Sequence, residues 1–237
     1  RIITNGNSKA INNKGLIISA KVFDYKKNEN ILVARTDVII ENKVENYKIL
    51  SNDVTYFKND EKIFSKGKTD AFIKSKYEIK SQDVNFNIKK NFINSKDKTN
   101  IKDNNSQFYS LDNFNYQINN EILKGENILI VTDFNLPESD KYYFSSAIID
   151  LKKQKFIAKD TRIEIHKSVF NNVKNDPRLI GLSSNGDKNL TILNKGVFTS
   201  CGIRENDKCP PWSISANQIV HDNKKKQIIY KDAVVNV

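Results

Sequence analysis

One spacing of apolar and polar positions recurs along this chain: large apolar, x, apolar, x, small, x, x, apolar, x, aromatic. It reads Leu16-Ile18-Ala20-Phe23-Tyr25, then Tyr47-Ile49-Ser51-Val54-Tyr56, then Tyr77-Ile79-Ser81-Val84-Phe86. A shortened copy follows at Tyr109-Leu111-Phe114-Tyr116, another at Tyr142-Phe144-Ser146-Ile149-Leu151, and a last one at Trp212-Ile214-Ala216-Ile219, ending in His221. The third position of the motif falls at residues 20, 51, 81, 111, 146 and 216. The steps are therefore 31, 30, 30, 35 and 70, so one unit between 146 and 216 is irregular or missing. A fixed period of this size is the mark of stacked supersecondary units.

Parity within the unit predicts its shape. Side chains alternate across a strand, so the first three positions share one face and the last two lie on the other. A bulge or corner at the small residue would return all five to one interior. Each unit then meets a polar turn and a second strand, as in "ILVARTDVII" (31–40), "FIAKDTRIEI" (156–165) and "QIIYKDAVVNV" (227–237). A bent hairpin of this length cannot bury its own apolar face and is stable only when stacked. Helix competes for "SDKYYFSSAIIDLKKQKF" (139–156), where the spacing is ambiguous. Elsewhere Ile, Val, Phe, Tyr and Thr between Asn/Asp/Lys turns favour strand. The expected fold is all-β: an open stack of bent hairpins with an apolar interior, running as one domain over residues 1–237.

Composition sharpens this only in places. Apolar residues make up 38% of the 237, yet thirteen Phe and nine Tyr exclude a disordered chain. No apolar run is long enough for a membrane-spanning helix. The opening "RIITNGNSKA" shows no basic-then-apolar leader, so the chain is expected to be cytosolic or already processed. The net charge of +11 invites an anionic partner, but the lysines gather in expected turns: "YKKNEN" (25–30), "FKNDEK" (57–62), "IKKN" (88–91), "LKKQK" (151–155) and "DNKKKQ" (222–227). No basic stripe interleaved with aromatics is present, which argues against nucleic acid.

Catalytic chemistry is hard to assemble. The two histidines are His166, read as a solvent-facing strand residue, and His221, read as a packed ring in the aromatic slot. No HExxH, GxSxG, P-loop or dinucleotide fingerprint occurs. The acids of "NDE" (59–61) and "ESD" (138–140) fall in turns, where they are ordinary. The expectation is a protein that is not an enzyme and holds no metal or cofactor. Cys201 and Cys209 lack the spacing of a zinc knuckle or a redox CxxC, and a disulfide across "GIRENDK" is the economical reading.

A family resemblance enters at the C-terminal quarter. "NDPRLIGLSSNGDKNLTILNKGVFTSC" (175–201) with "CPPWSISANQIVHDNKKKQIIYKDAVVNV" (209–237) resembles the N-terminal periplasmic domain of the LptD family of lipopolysaccharide-assembly outer-membrane proteins. The upstream units, such as "LIISAKVFDYKKNENILVARTDVII", resemble the OstA-like repeat that this family shares with LptA and LptC. The resemblance implies an open β-jellyroll that takes lipopolysaccharide acyl chains in an apolar groove and hands them to an outer-membrane barrel plugged by LptE. It implies a location at the periplasmic face of the outer membrane, with signal peptide and barrel absent from this fragment. On that reading the groove is lined by Leu16, Ile18, Ala20 and Phe23; by Tyr47, Ile49, Ser51 and Val54; by Tyr77, Ile79, Ser81 and Val84; by Tyr109 and Leu111; by Tyr142 and Phe144; and by Trp212, Ile214 and Ala216.

The same resemblance implies that the N-terminal edge, at Ile2, Ile3, Leu16, Ile17 and Ile18, accepts a strand of an LptA-like bridge protein by β-augmentation. Cys201 matches a family cysteine that in some members is bridged to the barrel. A local Cys201–Cys209 bond and bonds to the barrel both stay open. Two other readings remain beside this one: an LptA- or LptC-like bridge component, and a structural β-solenoid with a dry core.

Overall fold

The computed structural model describes residues 1–170, 174–203 and 210–237. Among them regular structure is entirely strand apart from one 3-10 turn at Lys167–Phe170. The all-β expectation holds, and the ambiguous 139–156 segment is strand. By its contacts the chain divides into two compact units. One comprises Arg1–Asn104 with Ser110–Asn120, the other Asn105–Tyr109 with Glu121–Val237.

In the first unit β1 (Ile2–Ile11), β2 (Leu16–Lys26), β3 (Ile31–Asn42), β4 (Tyr47–Phe57), β5 (Lys62–Ile73) and β6 (Tyr77–Asn87) each pair antiparallel with the next. β7 (Phe92–Ser95) and β8 (Thr99–Asp103) pair with opposite halves of β6, and β7 then pairs with β9 (Phe108–Gln117). In the second unit β10 (Ile122–Val131), β11 (Lys141–Asp150), β12 (Lys155–Glu164), β13 (Arg178–Asp187), β14 (Leu190–Thr199), β15 (Ser213–Asp222) and β16 (Gln227–Asn236) follow the same neighbour-to-neighbour rule.

The corner expected inside each unit is present. Register slips between Ser19 and Val22, Arg35 and Val38, Leu50 and Asp53, and Ser65 and Lys68. The backbone turns through positive φ at Thr36, Asp37, Gly67, Asp83, Asn113, Asp160 and Asp232. Burial changes parity across each corner: Leu16, Ile18 and Ala20 are buried, then Phe23; Tyr77, Ile79 and Ser81 are buried, then Val84 and Phe86. In β11 the buried small residue is Ala147, with Ser146 half-buried one step before it. The irregular unit is there too. Leu179, Gly181 and Ser184 are buried in β13, with Pro177 buried just before it and Gly181 midway between Ser146 and Ala216. A Cβ at Gly181 would sit 3.1 Å from Leu193, which is why this copy carries no side chain at the motif's small position.

The turns explain the period. The four-residue hairpin turns end at Asn30, Glu61, Asn91, Glu121, Gln154 and Lys226, every one in the left-handed region. That conformation swings the carbonyl out along the stack. Lys58 N–H donates to Asn30 C=O, Ile88 to Glu61, Ile118 to Asn91 and Leu151 to Glu121. Turns on the other side are tied alike, from Lys74 to Asn46, Asn104 to Lys76 and Phe134 to Ser106. A unit of constant length is what keeps successive turns in hydrogen-bond register.

Within the first unit's interior the two halves of the bent strands touch. Tyr47 meets Phe86 edge-on at 4.9 Å between ring centroids, and Tyr77 meets Tyr116 at 5.9 Å. Such pairs contribute roughly 0.5–1.5 kcal/mol beyond burial alone. The corner serines do more than leave width: their hydroxyls pair, Ser51 with Ser65 at 2.8 Å, Ser81 with Thr99 at 2.7 Å, and Thr161 with Ser184 at 2.6 Å. Pairing removes the cost of burying them.

Candidate functional site: a cavity in the second unit

The second unit holds a half-open cavity of about 580 Å³. That is the size of an ordinary ligand pocket. Its wall is built from inward positions of several strands: Ile130 on β10, Tyr142 and Ile149 on β11, Phe156 on β12, Ile165 just beyond β12, and His221 on β15, with Tyr109 alongside. Alternation along each strand puts these side chains on one face. Phe156 stands opposite Ile149 in the register, and its ring lies 5.1 Å from Phe144 and 6.3 Å from Tyr142.

The rim is polar because it is made of turns. Lys155, Lys188 and Lys226 lie there with Asp133, Asp140 and Asp187. The acids are occupied: Asp187 accepts the backbone N–H groups of Asn189 and Leu190, and Asp140 accepts that of His166 at 2.7 Å. Burial raises the Asp140 carboxyl above its ordinary value, partly offset by that hydrogen bond. Among the described residues the three lysines form no ion pair. Tyr142 is buried, which pushes its phenol up to about 12, and its hydroxyl accepts from Asn223 Nδ2 at 3.3 Å. His221 is 4% exposed, and burial lowers its imidazole to about 4.

A second, smaller cavity of about 310 Å³ lies at the β1 end of the first unit. Leu16, Ile18, Phe23, Tyr25 and Tyr56 form its floor, with Ile2, Ile11, Lys9 and Lys58 around it.

Most of the expected groove residues are buried, but they are distributed unevenly. Tyr109 and Tyr142 line the larger cavity, and Leu16, Ile18 and Phe23 the smaller one. Ala20, Tyr47, Ile49, Val54, Tyr77, Ile79, Ser81, Val84, Leu111, Phe144 and Ala216 are buried in packed core, while Ser51, Trp212 and Ile214 are half-buried. The middle of the first unit is therefore filled by its own rings, not open as a trough. The reason is the motif's aromatic fifth position, which reaches across to the first position of an earlier unit. Sequence reasoning missed Phe156, Ile130 and Ile165, because it followed the first strand of each hairpin and their strands are the second. It named His221 only as a packed ring.

The expected partner edge also changes. β1 is the edge, whereas Leu16, Ile17 and Ile18 lie one strand in, with Ile17 paired to Ile11 on one side and Glu41 on the other. The turn at residues 13–15 folds them back under β1. β16 is the edge of the second unit, and Ile229, Val234 and Val235 on it are exposed. Cys209 lies outside the described residues, so the Cys201–Cys209 pairing is not placed. Cys201 is half-buried, its Sγ 3.8 Å from the Trp212 carbonyl. No group of three or more metal-ligating side chains gathers among the described residues.

Fold and cavity together define a class: an all-β protein of stacked, bent antiparallel strands, with a pocket in its second unit that has an aliphatic and aromatic floor and a polar rim. Beyond that class, the chain matches no protein-family model and no curated protein sequence.

Proposed function

We propose that this chain carries the acyl chains of an anionic amphiphile, lipopolysaccharide, as a periplasmic module of outer-membrane assembly. The observation that supports it is the second unit's cavity, with an aliphatic and aromatic floor under a rim bearing three lysines free of ion pairs. An acyl chain gains about 0.8 kcal/mol per CH₂ moved out of water. Exchange between two equally apolar sites is nearly neutral, so transfer asks for no catalytic group. The lysines suit a phosphate or carboxylate head at the mouth, in keeping with the chain's +11 charge. On this reading β1, with Ile2 and Ile3 exposed, is the edge that receives a strand from an LptA-like bridge.

A dry structural solenoid is favoured by the filled middle of the first unit, but it leaves the cavity without a purpose. Binding of purified lipopolysaccharide to the intact chain separates the two. The doubly reversed variant Lys188→Glu with Lys226→Glu is expected to bind at least tenfold more weakly, since each lysine near an anionic surface contributes about 1 kcal/mol. Equal affinity of variant and wild type, or no binding by either, would remove the proposal.

A further inference from the structure

We propose that the outer face of the second unit docks on an anionic phospholipid surface, through a row of aliphatic side chains edged by lysine-bearing turns. The inference goes beyond the acyl-carrier reading and does not depend on it. The row crosses six strands in direct register: Ile148 on β11 faces Ile157 on β12, and Asn185, Ile192, Val220 and Ile229 follow on β13 to β16. Directly opposed residues share one face of a sheet. Here it is the outer face, because the chain neighbours Ile149, Ala158, Leu193 and Ile219 are the buried ones. Ile148, Ile157 and Ile229 are 48%, 68% and 53% exposed, so nothing in the second unit covers them. With strands about 4.8 Å apart, the row is about 24 Å long.

The repeat itself does not call for such a row. Its equivalent in the first unit, also two residues in from the strand ends at the turns, carries Asp24, Thr55, Asn85, Asn94 and Asn115, with only Val33 and Phe64 apolar. Polar outward positions are the ordinary choice for a sheet with one wet face. A contiguous exposed apolar row in their place marks an interaction site.

Charge identifies the partner. At the turns beside the row stand Lys152, Lys155, Lys188, Lys224, Lys225 and Lys226, all exposed and in no ion pair among the described residues. The acids at these turns are engaged by backbone: Asp150 accepts from the Lys153 N–H, Asp187 from those of Asn189 and Leu190, and Asp222 from that of Lys225. Two strand residues, about 7 Å, separate the turns from the row. The partner is therefore anionic and apolar at once. Protein interfaces gather aromatic residues and arginine and are depleted in lysine. The row and its turns have the opposite composition. Acyl chains under anionic headgroups accept branched aliphatics and flexible ammonium groups without a fixed geometry.

The test measures co-sedimentation of the intact chain with phosphatidylcholine vesicles, with and without phosphatidylglycerol. Wild type is expected to bind only the anionic vesicles and to be released by salt. Ile157→Ser with Ile229→Ser is expected to weaken binding at least tenfold, and Lys152→Gln with Lys224→Gln and Lys225→Gln at least as much. All five side chains are exposed, so the melting temperature should hold, and none lines the cavity, so a failure here leaves the acyl site standing. Ile180→Ser, 51% exposed on the other arm of bent β13, is expected to bind as wild type does. Equal binding to both kinds of vesicle, undiminished binding by the isoleucine variant, or an equal loss in Ile180→Ser overturns the proposal. Wild type that ignores vesicles but binds polyglutamate would overturn it too, giving the face to an acidic protein.

Discussion

His221 is the residue at which position and chemistry diverge most. Its place in the repeat was legible, because it closes the last copy of a motif whose fifth position is aromatic in four others, at Tyr25, Tyr56, Phe86 and Tyr116. That its buried Nδ1 has no hydrogen-bond partner among the described residues was not, since hydrogen-bond partners are set by what β14 brings opposite, and no spacing rule encodes that. A consequence for stability follows from its burial. The folded imidazole titrates at about 4 against an ordinary 6.5, so between those values the unfolded chain binds the additional proton. Stability is therefore full above the unfolded value and is lost as pH falls from about 6.5 toward about 4. The share belonging to His221 is about 3 kcal/mol at most. In denaturant titrations, wild type should lose about that much more than His221→Phe between neutral pH and the lower limit. Identical acid sensitivity of the two proteins would show that the ring is not held neutral.

Among the elements, the strands with bulky inward residues were readable because alternation and the break in parity are both written in side-chain type. β13 was not, because its inward positions include Gly181, where Leu193 leaves no room, and Gly186, where a Cβ would lie 2.3 Å from the Leu190 carbonyl oxygen. Glycine in a strand marks close approach, and it erases the hydrophobic signal at the same time. The turn ladder was equally hidden: composition announces a turn, but not that its last carbonyl will point at the next layer. The edge was misread at Leu16–Ile18 because the tight "NNKG" turn makes β1 and β2 look like one N-terminal segment. That correction has a test. Ile17→Pro removes a donor from a strand paired on both sides and should cost about 3 kcal/mol or more, unfolding the first unit rather than silencing a surface. Lysine at Ile3 and Ile11, both exposed on β1, should leave the melting temperature nearly unchanged while abolishing strand addition by an LptA-like partner. Retained binding by that double variant would move the docking edge elsewhere.

For the molecule as a whole, the apolar rows foreseen in the repeat are present, but they serve two purposes. In the first unit they mostly pack against one another, with the smaller cavity beside β1. In the second they surround the larger cavity, whose wall Phe156, Ile130 and Ile165 share with Tyr142 and Ile149. Whether rings close or stand apart depends on how neighbouring layers meet, which explains why the repeat announced an interior without saying where it would be empty. The account turns on that space holding fatty tails. The most direct measurement places a photo-activatable benzoylphenylalanine at Phe156, in the cavity wall, and at Phe72, exposed on the outside of the first unit, and irradiates each protein with purified lipopolysaccharide. Capture at Phe156 with none at Phe72 is the outcome expected; equal capture at both positions, or none at Phe156, would contradict it.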